Sequence, residues 1–209
     1  TIFNKTKAFE TRALQSFERG ALFAYDLPSG YDFAGMSQTM RKELPVSMPS
    51  VYVARGPSTA PSDLISEMNK GKYIINYSGH GSTGVWAASS FFGVNSVPSV
   101  SNGTSPSIYN MLTCLNGFFL RPDADSLGES LLKSANGGAV SAWASTSETT
   151  PDVQLIMGTR FYNRLASQTI PRMGDLVRDA KTSIPAGADV RLSWALLGDP
   201  MLRVIAPTP

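Results

Sequence analysis

Short apolar segments of strand length recur along the chain, and they restrict its fold more than any other feature of the sequence. Each is five to seven residues long and is followed by Gly, Pro, Asn or Ser, which is typical of buried strands that end in turns. Segments with helical spacing lie between them, such as Phe33 to Leu44 and Asp63 to Asn69. Strands that alternate with helices predict a mainly parallel sheet covered on both faces, a three-layer α/β sandwich with about five to six strands. The strand candidates are Ala21 to Tyr25, Ser50 to Ala54, Lys72 to Tyr77, Ser107 to Thr113 and Gly138 to Ala144.

Local signals mark the start of two further helices. Ser126 with Glu129 three positions later forms a capping box, in which each side chain bonds the other residue's backbone N–H. Thr150 followed by Pro151 supplies a cap residue with proline in the first turn. The stretch between Ser78 and Asn110 is rich in Gly, Ser, Asn and Pro, and we predict a long loop there with room for short strands. Loops longer than about 15 residues inside a compact domain are more often functional than decorative.

The composition argues against several functional classes. The 209 residues are 42% hydrophobic and 16% charged, which is enough apolar material for the core of one domain. A net charge of +2 with no dense run of Lys or Arg argues against nucleic acid or an anionic membrane as partner. No apolar run approaches the roughly 18 to 20 residues of a membrane span. The single cysteine excludes an internal disulfide, so cysteine content does not identify the compartment.

The only histidine and the only cysteine each lie just past the end of a predicted strand. His80 lies between Gly79 and Gly81, and Cys114 lies in a turn that contains Gly117. Glycines permit tight turns and a close approach of substrate backbone. Ligands of open α/β sheets bind at this edge, and adjacent parallel strands would bring the two side chains together there.

The pairing of a thiol with an imidazole indicates nucleophilic catalysis. A thiol has an unperturbed pKa of about 8.5, and an imidazole that accepts its proton makes it a competent acyl-transfer nucleophile. Backbone N–H groups in the two turns could stabilise an oxyanion. Taken alone, a lone Cys is more often a small buried hydrophobe and a lone His is usually structural. Their joint placement after two neighbouring strands favours the catalytic interpretation.

Metal and nucleotide chemistry have little support in the sequence. One His and one Cys supply two good transition-metal ligands, whereas structural zinc normally takes about four. Calcium held by Asp, Asn and carbonyl oxygens stays open. Phosphate-loop and dinucleotide fingerprints are absent.

Two motifs resemble the gingipain family of cysteine peptidases, which belongs to the caspase-like clan. They are the segment from Asn76 to Ser82 with Trp86 after it, and the segment from Thr113 to Phe119. The likeness covers nearly the whole chain from Ala21 onward. It extends through Leu127 to Glu129, Gly138 to Val140, Ala144 to Thr146 and Trp194 to Leu202.

The resemblance implies a caspase-like sheet and a catalytic dyad of Cys114 and His80. It also implies an oxyanion hole formed by the backbone N–H groups of Cys114 and Gly81. In gingipains an acidic residue near the end of an earlier strand supports the histidine. Asp26 occupies that place here, although the best-known members carry Glu. We expect that no cofactor is required, with calcium open as a structural ion.

The resemblance also implies a set of substrate-binding residues. Asp32 falls where gingipains place an Asp at the base of the S1 pocket, and a carboxylate there would select Arg or Lys at P1 through a charge-assisted hydrogen bond. The other interpretation is that Asp32 only caps the helix that begins near Phe33. Ser78 and Leu112 fall where the family lines the S1 walls, and Trp86 is placed to wall the cleft.

One segment departs from the family pattern. The residues from Ser145 to Thr150 lack the aromatic side chain that covers the substrate in gingipains, so the P1 preference stays open. Trp143, just before this segment, is expected in the core.

These features predict a cysteine endopeptidase that acts on protein or peptide substrates and is secreted or bound to the cell surface, the location being implied by the family. Two alternatives remain. A sorting-type transpeptidase of the same fold would let an amine intercept the acyl-enzyme, and an inactive caspase-like scaffold would bind a partner without turnover.

The ends of the sequence suggest a piece of a longer protein. It begins in a polar, helix-compatible stretch and finishes at Ala206 to Pro209, which has the composition of a linker. We expect a helical remnant of a preceding subdomain over residues 1–20, a caspase-like catalytic domain over 21–205 and the start of a linker over 206–209. The missing N-terminal subdomain, or further domains, would then be partners of this chain.

Overall fold

A six-stranded, mainly parallel sheet forms the centre of the fold, with the strands in the order β2-β1-β3-β7-β8-β9. The computed structural model describes residues 2–11, 17–87, 91–184 and 188–204. Only β9 runs antiparallel to its neighbour, and β4, β5 and β6 form a separate small antiparallel sheet. The strands are β1 Ala21–Tyr25, β2 Ser50–Ala54, β3 Ile74–Ser78, β4 Gly81–Ser82, β5 Val85–Trp86, β6 Phe92–Gly93, β7 Ser107–Leu112, β8 Ala139–Ser145 and β9 Trp194–Gly198.

Helices cover both faces of this sheet. Their bounds are α1 Ile2–Thr11, α2 Phe33–Lys42, α3 Ala60–Asn69, α4 Leu127–Lys133, α5 Pro151–Ser167, α6 Met173–Lys181 and α7 Ala188–Ser193. Short 3-10 helices span Phe17–Arg19 and Val94–Ser99. Among the described helices, none combines the length and the hydrophobicity that a bilayer crossing requires.

The strand pleat divides the core into two layers. Phe23, Ile74 and Leu112 point to one face, where they pack with side chains of α1, α2, α5 and α6. Leu22 and Tyr77 point to the other face, where they pack with α3, α4 and the small sheet. Side chains alternate across a strand, so a strand buried on both faces needs mostly apolar side chains. The central strands fit this pattern, although they also bury Asn76, Asn110 and Ser141. The predicted three-layer α/β sandwich is confirmed.

The predicted helix starts are found with small shifts. Ser126 and Glu129 form the capping box, and α5 begins at Pro151. The helix predicted from Asp63 begins three residues earlier, at Ala60, because Pro61 fits the first turn. The long loop after Ser78 contains the small antiparallel sheet and a 3-10 helix.

Helix α1 packs on the sheet that follows it. Phe9 is buried and stacks on Tyr73 with 5.5 Å between ring centroids. Lys5 is buried as well, and its Nζ donates to the carbonyl oxygens of Leu131 at 3.1 Å and Leu132 at 2.8 Å, in the last turn of α4. Cations are favoured at helix C-termini because the last carbonyl groups lack partners. Residues 206–209, predicted as a linker, lie outside the described residues.

Candidate active site

The register between β3 and β7 brings the predicted catalytic pair to one place. Ser78 is paired with Leu112 at the ends of these parallel strands, and the N–H of Gly79 donates to the carbonyl of Leu112 at 3.3 Å. His80 and Cys114 each come two residues after this last pair. Neighbouring strands lie about 4.8 Å apart. Both residues therefore leave the same edge of the sheet side by side.

Three contacts hold the main chain of His80. Its N–H donates to Oδ2 of Asp26 at 3.4 Å. Its carbonyl oxygen accepts from the hydroxyl of Tyr77 at 2.7 Å and from the N–H of Ala87 at 2.7 Å. The peptide groups on both sides of the histidine are thus fixed before any contact of its ring is considered.

The imidazole ring of His80 is exposed and is oriented by the loop between β1 and α2. Its Nε2 lies 2.5 Å from the hydroxyl oxygen of Ser29. The edge of Phe33, at the start of α2, packs against the ring with 5.4 Å between centroids and 80° between planes. Within the described part of the chain, Nδ1 has no hydrogen-bond partner, so it is the ring nitrogen available to Cys114.

Asp26 supports the histidine through the main chain and is itself held by Arg55. Its carboxylate is 3% exposed, accepts from the Leu27 N–H at 2.7 Å and forms an ion pair with Nε of Arg55. The Asp26 position was predicted from the sequence, whereas Arg55 was not. Arg55 follows the last residue of β2, so the pairing of β1 with β2 is what brings the two residues together.

The turn that carries Cys114 is tied to the loop after β8. The thiol is partly buried and its Sγ lies 3.5 Å from the carbonyl oxygen of Thr149. The N–H of Leu115 donates to the carbonyl of Ser147 at 3.2 Å. Leu115 has a φ of +58°, which a non-glycine residue adopts only when its surroundings enforce it. In this state Sγ and the His80 ring have separate partners.

The resemblance implies that the N–H groups of Gly81 and Cys114 form an oxyanion hole; Gly81 begins β4, and Cys114 lies in the turn after β7. The bond from the Ala87 N–H to the His80 carbonyl makes Gly81 and Trp86 a non-hydrogen-bonded pair of the β4–β5 hairpin, so the Gly81 N–H points away from β5. A Cβ on Gly81 would lie 2.4 Å from Oγ1 of Thr113, so a side chain there would collide with the Cys114 turn. The N–H of Cys114 donates to no acceptor among the described residues.

Asn116 joins the turn that carries Cys114 to the hairpin after His80, and sequence reasoning missed it. Its side-chain Nδ2 donates to the carbonyls of Ser82 at 2.5 Å and Val85 at 3.2 Å, both in the hairpin after His80. Its own carbonyl accepts from the N–H of Gly128 at 3.0 Å. The signal in the sequence was a polar amide within an apolar, glycine-containing turn two residues after Cys114.

Asp32 caps α2, as one of its two interpretations required. Its Oδ1 accepts from the N–H of Gly35 at 2.8 Å, and the residue is exposed. Phe33, the next residue, contacts the His80 ring, so Asp32 lies one residue along the chain from a contact of the histidine. An exposed capping carboxylate keeps free lone pairs, so capping does not prevent contact with a ligand.

Three predicted substrate-binding residues are enclosed by the protein. Ser78 and Leu112 are fully buried, so the S1 walls predicted there have no surface open to a ligand in this structure. The prediction for Trp86 needs correction. Its indole is fully buried and stacks on Tyr77 with 4.4 Å between centroids and 5° between planes. Trp86 therefore packs in the core under the loop after His80 and does not line an open cleft.

No metal centre accompanies the dyad in the part of the chain that the structure describes. There, no three His, Cys, Asp or Glu side chains are grouped as a bound ion would require.

Comparison with known proteins places these features in a family. The sequence model of peptidase family C25 matches residues 1–205. Gingipain R2 of Porphyromonas gingivalis is 26% identical over an alignment of 171 residues, and the match covers 73% of this chain and 22% of that protein. Gingipain R1 of the same organism is also 26% identical over 171 residues, 17% of its length. The chain thus spans under a quarter of these relatives.

Solved structures show the same fold. The Arg-specific cysteine proteinase gingipain R superposes with a TM-score of 0.87 at 20% identity, covering 98% of this chain and 52% of that one. The complex of Porphyromonas gingivalis RgpB pro- and mature domains gives a TM-score of 0.81 at 19% identity, covering 100% and 54%. The resemblance to the gingipain family and the caspase-like sheet, both expected from the sequence, are confirmed.

Proposed function

Because the chain belongs to peptidase family C25, we propose that it carries the catalytic centre of a cysteine endopeptidase. The observation that carries the proposal is the register of β3 and β7. The end pair of Ser78 with Leu112 directs the only histidine and the only cysteine out of the same edge of the sheet. An inert core would not require both groups at matching strand exits.

The proposed reaction proceeds through a thioester. His80 accepts the thiol proton at Nδ1, and the sulfur of Cys114 attacks the carbonyl carbon of the scissile peptide bond. The N–H groups of Cys114 and Gly81 donate to the oxyanion of the tetrahedral intermediate. The intermediate collapses when the C–N bond breaks and His80 gives its proton to the leaving amine. Water, deprotonated by His80, then attacks the thioester, which releases a carboxylic acid and restores the thiol.

Cys114 must leave the Thr149 carbonyl for this reaction to begin. In the resting arrangement Sγ lies 3.5 Å from that oxygen, and a neutral thiol is only a weak donor. We propose that substrate binding releases the thiol toward the imidazole. Hydrogen bonds of catalytic groups are often long or misaligned in free enzymes and tighten when substrate binds.

The proposed P1 residue is Arg or Lys, bound by the carboxylate of Asp32. The exposure of that carboxylate beside the dyad supports this, as does the description of gingipain R as Arg-specific. Ser78 and Leu112 would then form the buried base of the S1 pocket, between the two turns. They would not form its exposed wall. The absence of an aromatic side chain between Ser145 and Thr150 leaves the far side of the pocket more open than in gingipains.

Location, partners and cofactors follow from the same family. We propose that the protein is secreted or held at the cell surface and acts on protein or peptide substrates. The remainder of a longer chain, corresponding to the other half of gingipain R, would pack beside it. We propose that turnover requires no cofactor and that any calcium would be structural.

The test is hydrolysis of fluorogenic peptides that carry Arg, Lys, Asp, Asn or Leu at P1. We expect cleavage after Arg or Lys by the wild type and a loss of at least about 10³-fold in Cys114→Ala, because the nucleophile is removed. A peptidyl acyloxymethyl ketone should label the wild type at Cys114, as peptide mapping would show. Full activity in Cys114→Ala would contradict the proposal.

The two alternative functions give different results in the same assay. A transpeptidase would convert an added amine into an amide adduct visible by mass spectrometry, at the expense of the hydrolysed product. A scaffold without turnover would give neither cleavage nor labelling of Cys114. A longer version of the chain, assayed in parallel, would distinguish such a scaffold from a domain that needs its neighbour.

A further inference from the structure

A cleft beside the proposed dyad has no assigned role. Its volume is about 340 Å³, and it lies at the carboxyl ends of β1 and β2, next to the ion pair of Asp26 and Arg55. Its lining combines apolar side chains with backbone polar groups and one cationic side chain. The residues that matter here are Leu27, Arg55, Pro57, Ala60 and Phe91.

Arg55 uses only part of its hydrogen-bonding capacity. Its Nε–H donates to Asp26, whereas its two terminal amino groups donate to no acceptor in the part of the chain that the structure describes. The side chain is 34% exposed and lines the cleft. A guanidinium has five N–H donors in a planar fork that fits a carboxylate. The free end of this fork is therefore a recognition element for an anion.

The position of the cleft indicates which part of a substrate reaches it. In the strand order β2-β1-β3-β7, His80 follows β3 and Cys114 follows β7, so β1 and β2 lie on the far side of His80 from Cys114. The departing amine takes its proton from His80, which means that the departing segment starts there and continues away from Cys114. Two strand spacings are about 10 Å, and three extended residues span about the same distance.

We propose that this cleft binds the first residues of the leaving-group segment and that Arg55 selects a carboxylate among them. The proposal rests on the peptidase function proposed above. The apolar side chains of the lining, including Leu27 with 43% of its surface exposed, would pack against the aliphatic part of the same segment. The protein would then prefer substrates that have a cationic residue at P1 and an acidic residue at P1′, P2′ or P3′.

The test compares peptides that differ at one position after the scissile bond. Asp, Asn or Lys is placed in turn at P1′, P2′ and P3′, and kcat/KM is measured for each. We expect Asp to be preferred over Asn by about twofold to fivefold at one of these positions, the size typical of a partly exposed ion pair. No preference for Asp at any of the three, with cleavage intact, would overturn this inference and leave the peptidase function standing.

The ratio of the two rates isolates the role of Arg55. Arg55→Gln also disturbs Asp26 and lowers both rates, but it should bring the Asp/Asn ratio close to one. Arg160→Gln is the matched control, because Arg160 is also a partly exposed, ion-paired arginine but lies on α5. It should keep the ratio. If Arg55→Gln does not fold, Leu27→Glu serves instead, since a carboxylate on this exposed wall should abolish the preference for Asp.

A binding measurement covers the case in which no peptide is cleaved. Fluorescein-labelled peptides are titrated against Cys114→Ala and followed by anisotropy. The proposal is supported if the Asp peptide binds more tightly than the others and the difference disappears when Arg55→Gln is added to Cys114→Ala. Equal or unmeasurable binding of all peptides counts against it. Peptides with a free or an amidated C-terminus distinguish a side-chain carboxylate from a terminal one, because only recognition of the terminal carboxylate is lost on amidation.

Discussion

The hydroxyl oxygen of Ser29 lies 2.5 Å from Nε2 of His80, on the opposite side of the ring from the nitrogen that is free for Cys114. Asp26, the acidic residue beside the histidine, contacts its main chain. Ser29 therefore restrains the rotation of the ring and occupies Nε2, which leaves Nδ1 for the proposed proton transfer. The loop between β1 and α2 thus orients the proposed acid/base group.

We predict that Ser29→Ala lowers kcat by about threefold to tenfold, because the ring loses one hydrogen bond of about 1 kcal/mol that stabilises its reactive orientation. Ser29→Thr should keep most of the activity, since it retains the hydroxyl. The pH dependence of iodoacetamide alkylation at Cys114 gives a second measurement. Ser167→Ala, at the end of α5, is the control, and equal kcat and alkylation profiles in both alanine variants would contradict the orienting role.

We predict that Asp26→Asn lowers the free energy of unfolding by about 2 kcal/mol and reduces kcat/KM, because it leaves Arg55 unpaired beside a buried amide. Urea unfolding measures the first effect and peptide hydrolysis the second. Asp179→Asn provides the comparison, since Asp179 pairs with Arg160 and Arg164 near the surface. Its loss should cost about 1 kcal/mol or less and leave activity unchanged. Equal losses in the two variants would mean that Asp26 is an ordinary structural carboxylate.

The role of Asp32 is separable from its capping function. Asp32→Ser retains an oxygen that can accept from the Gly35 N–H, so stability should stay within about 0.5 kcal/mol, whereas Asp32→Ala should lose about 1 kcal/mol. Both variants lack the charge. We predict that both cleave after Arg and Lys at least about tenfold more slowly, while cleavage after uncharged residues changes little. A serine variant with unchanged P1 preference would reduce Asp32 to a helix cap.

Burial lowers the pKa of Lys5 to about 8 from its usual 10.5. Between these values the unfolded chain binds this proton and the folded chain does not, so the contribution of Lys5 to stability should rise with pH across that window, by up to about 1.4 kcal/mol per pH unit. Urea unfolding from pH 7 to pH 10 should show wild type gaining on Lys5→Met as the pH rises. Lys7→Met, on the exposed side of α1, should show no such trend. If the difference in unfolding free energy between wild type and Lys5→Met did not change with pH, the lowered pKa of Lys5 would be refuted.

The parts of the fold that depend on local pattern could be predicted from the sequence. The strand that ends before Asp26 and the capping box at Ser126 are set by neighbours within a few residues. Strand β9 was not predicted as a strand, because it follows α7 with no turn residue between them and pairs with β8, about 50 residues away in the chain.

The candidate site shows the same division. The position of His80 and Cys114 at one edge of the sheet could be predicted, because each follows an apolar strand and the two strands pair in parallel. The buried position of Trp86 could not, because a Gly- and Ser-rich loop gives no sign that it folds back as a hairpin onto Tyr77. The ion pair with Arg55 depends on the register of β1 with β2, which sequence spacing does not specify.

The hydrogen bonds that hold the main chain of His80 do not depend on the side chains that would react. The N–H and carbonyl groups of His80 are bonded by Asp26, Tyr77 and Ala87. Asn116 joins the two turns through backbone carbonyls. None of these bonds requires an imidazole or a thiol. Descendants of such a chain could exchange both reactive side chains and inherit the loops intact. Replacing both side chains would therefore remove the reactive groups and leave these main-chain bonds in place.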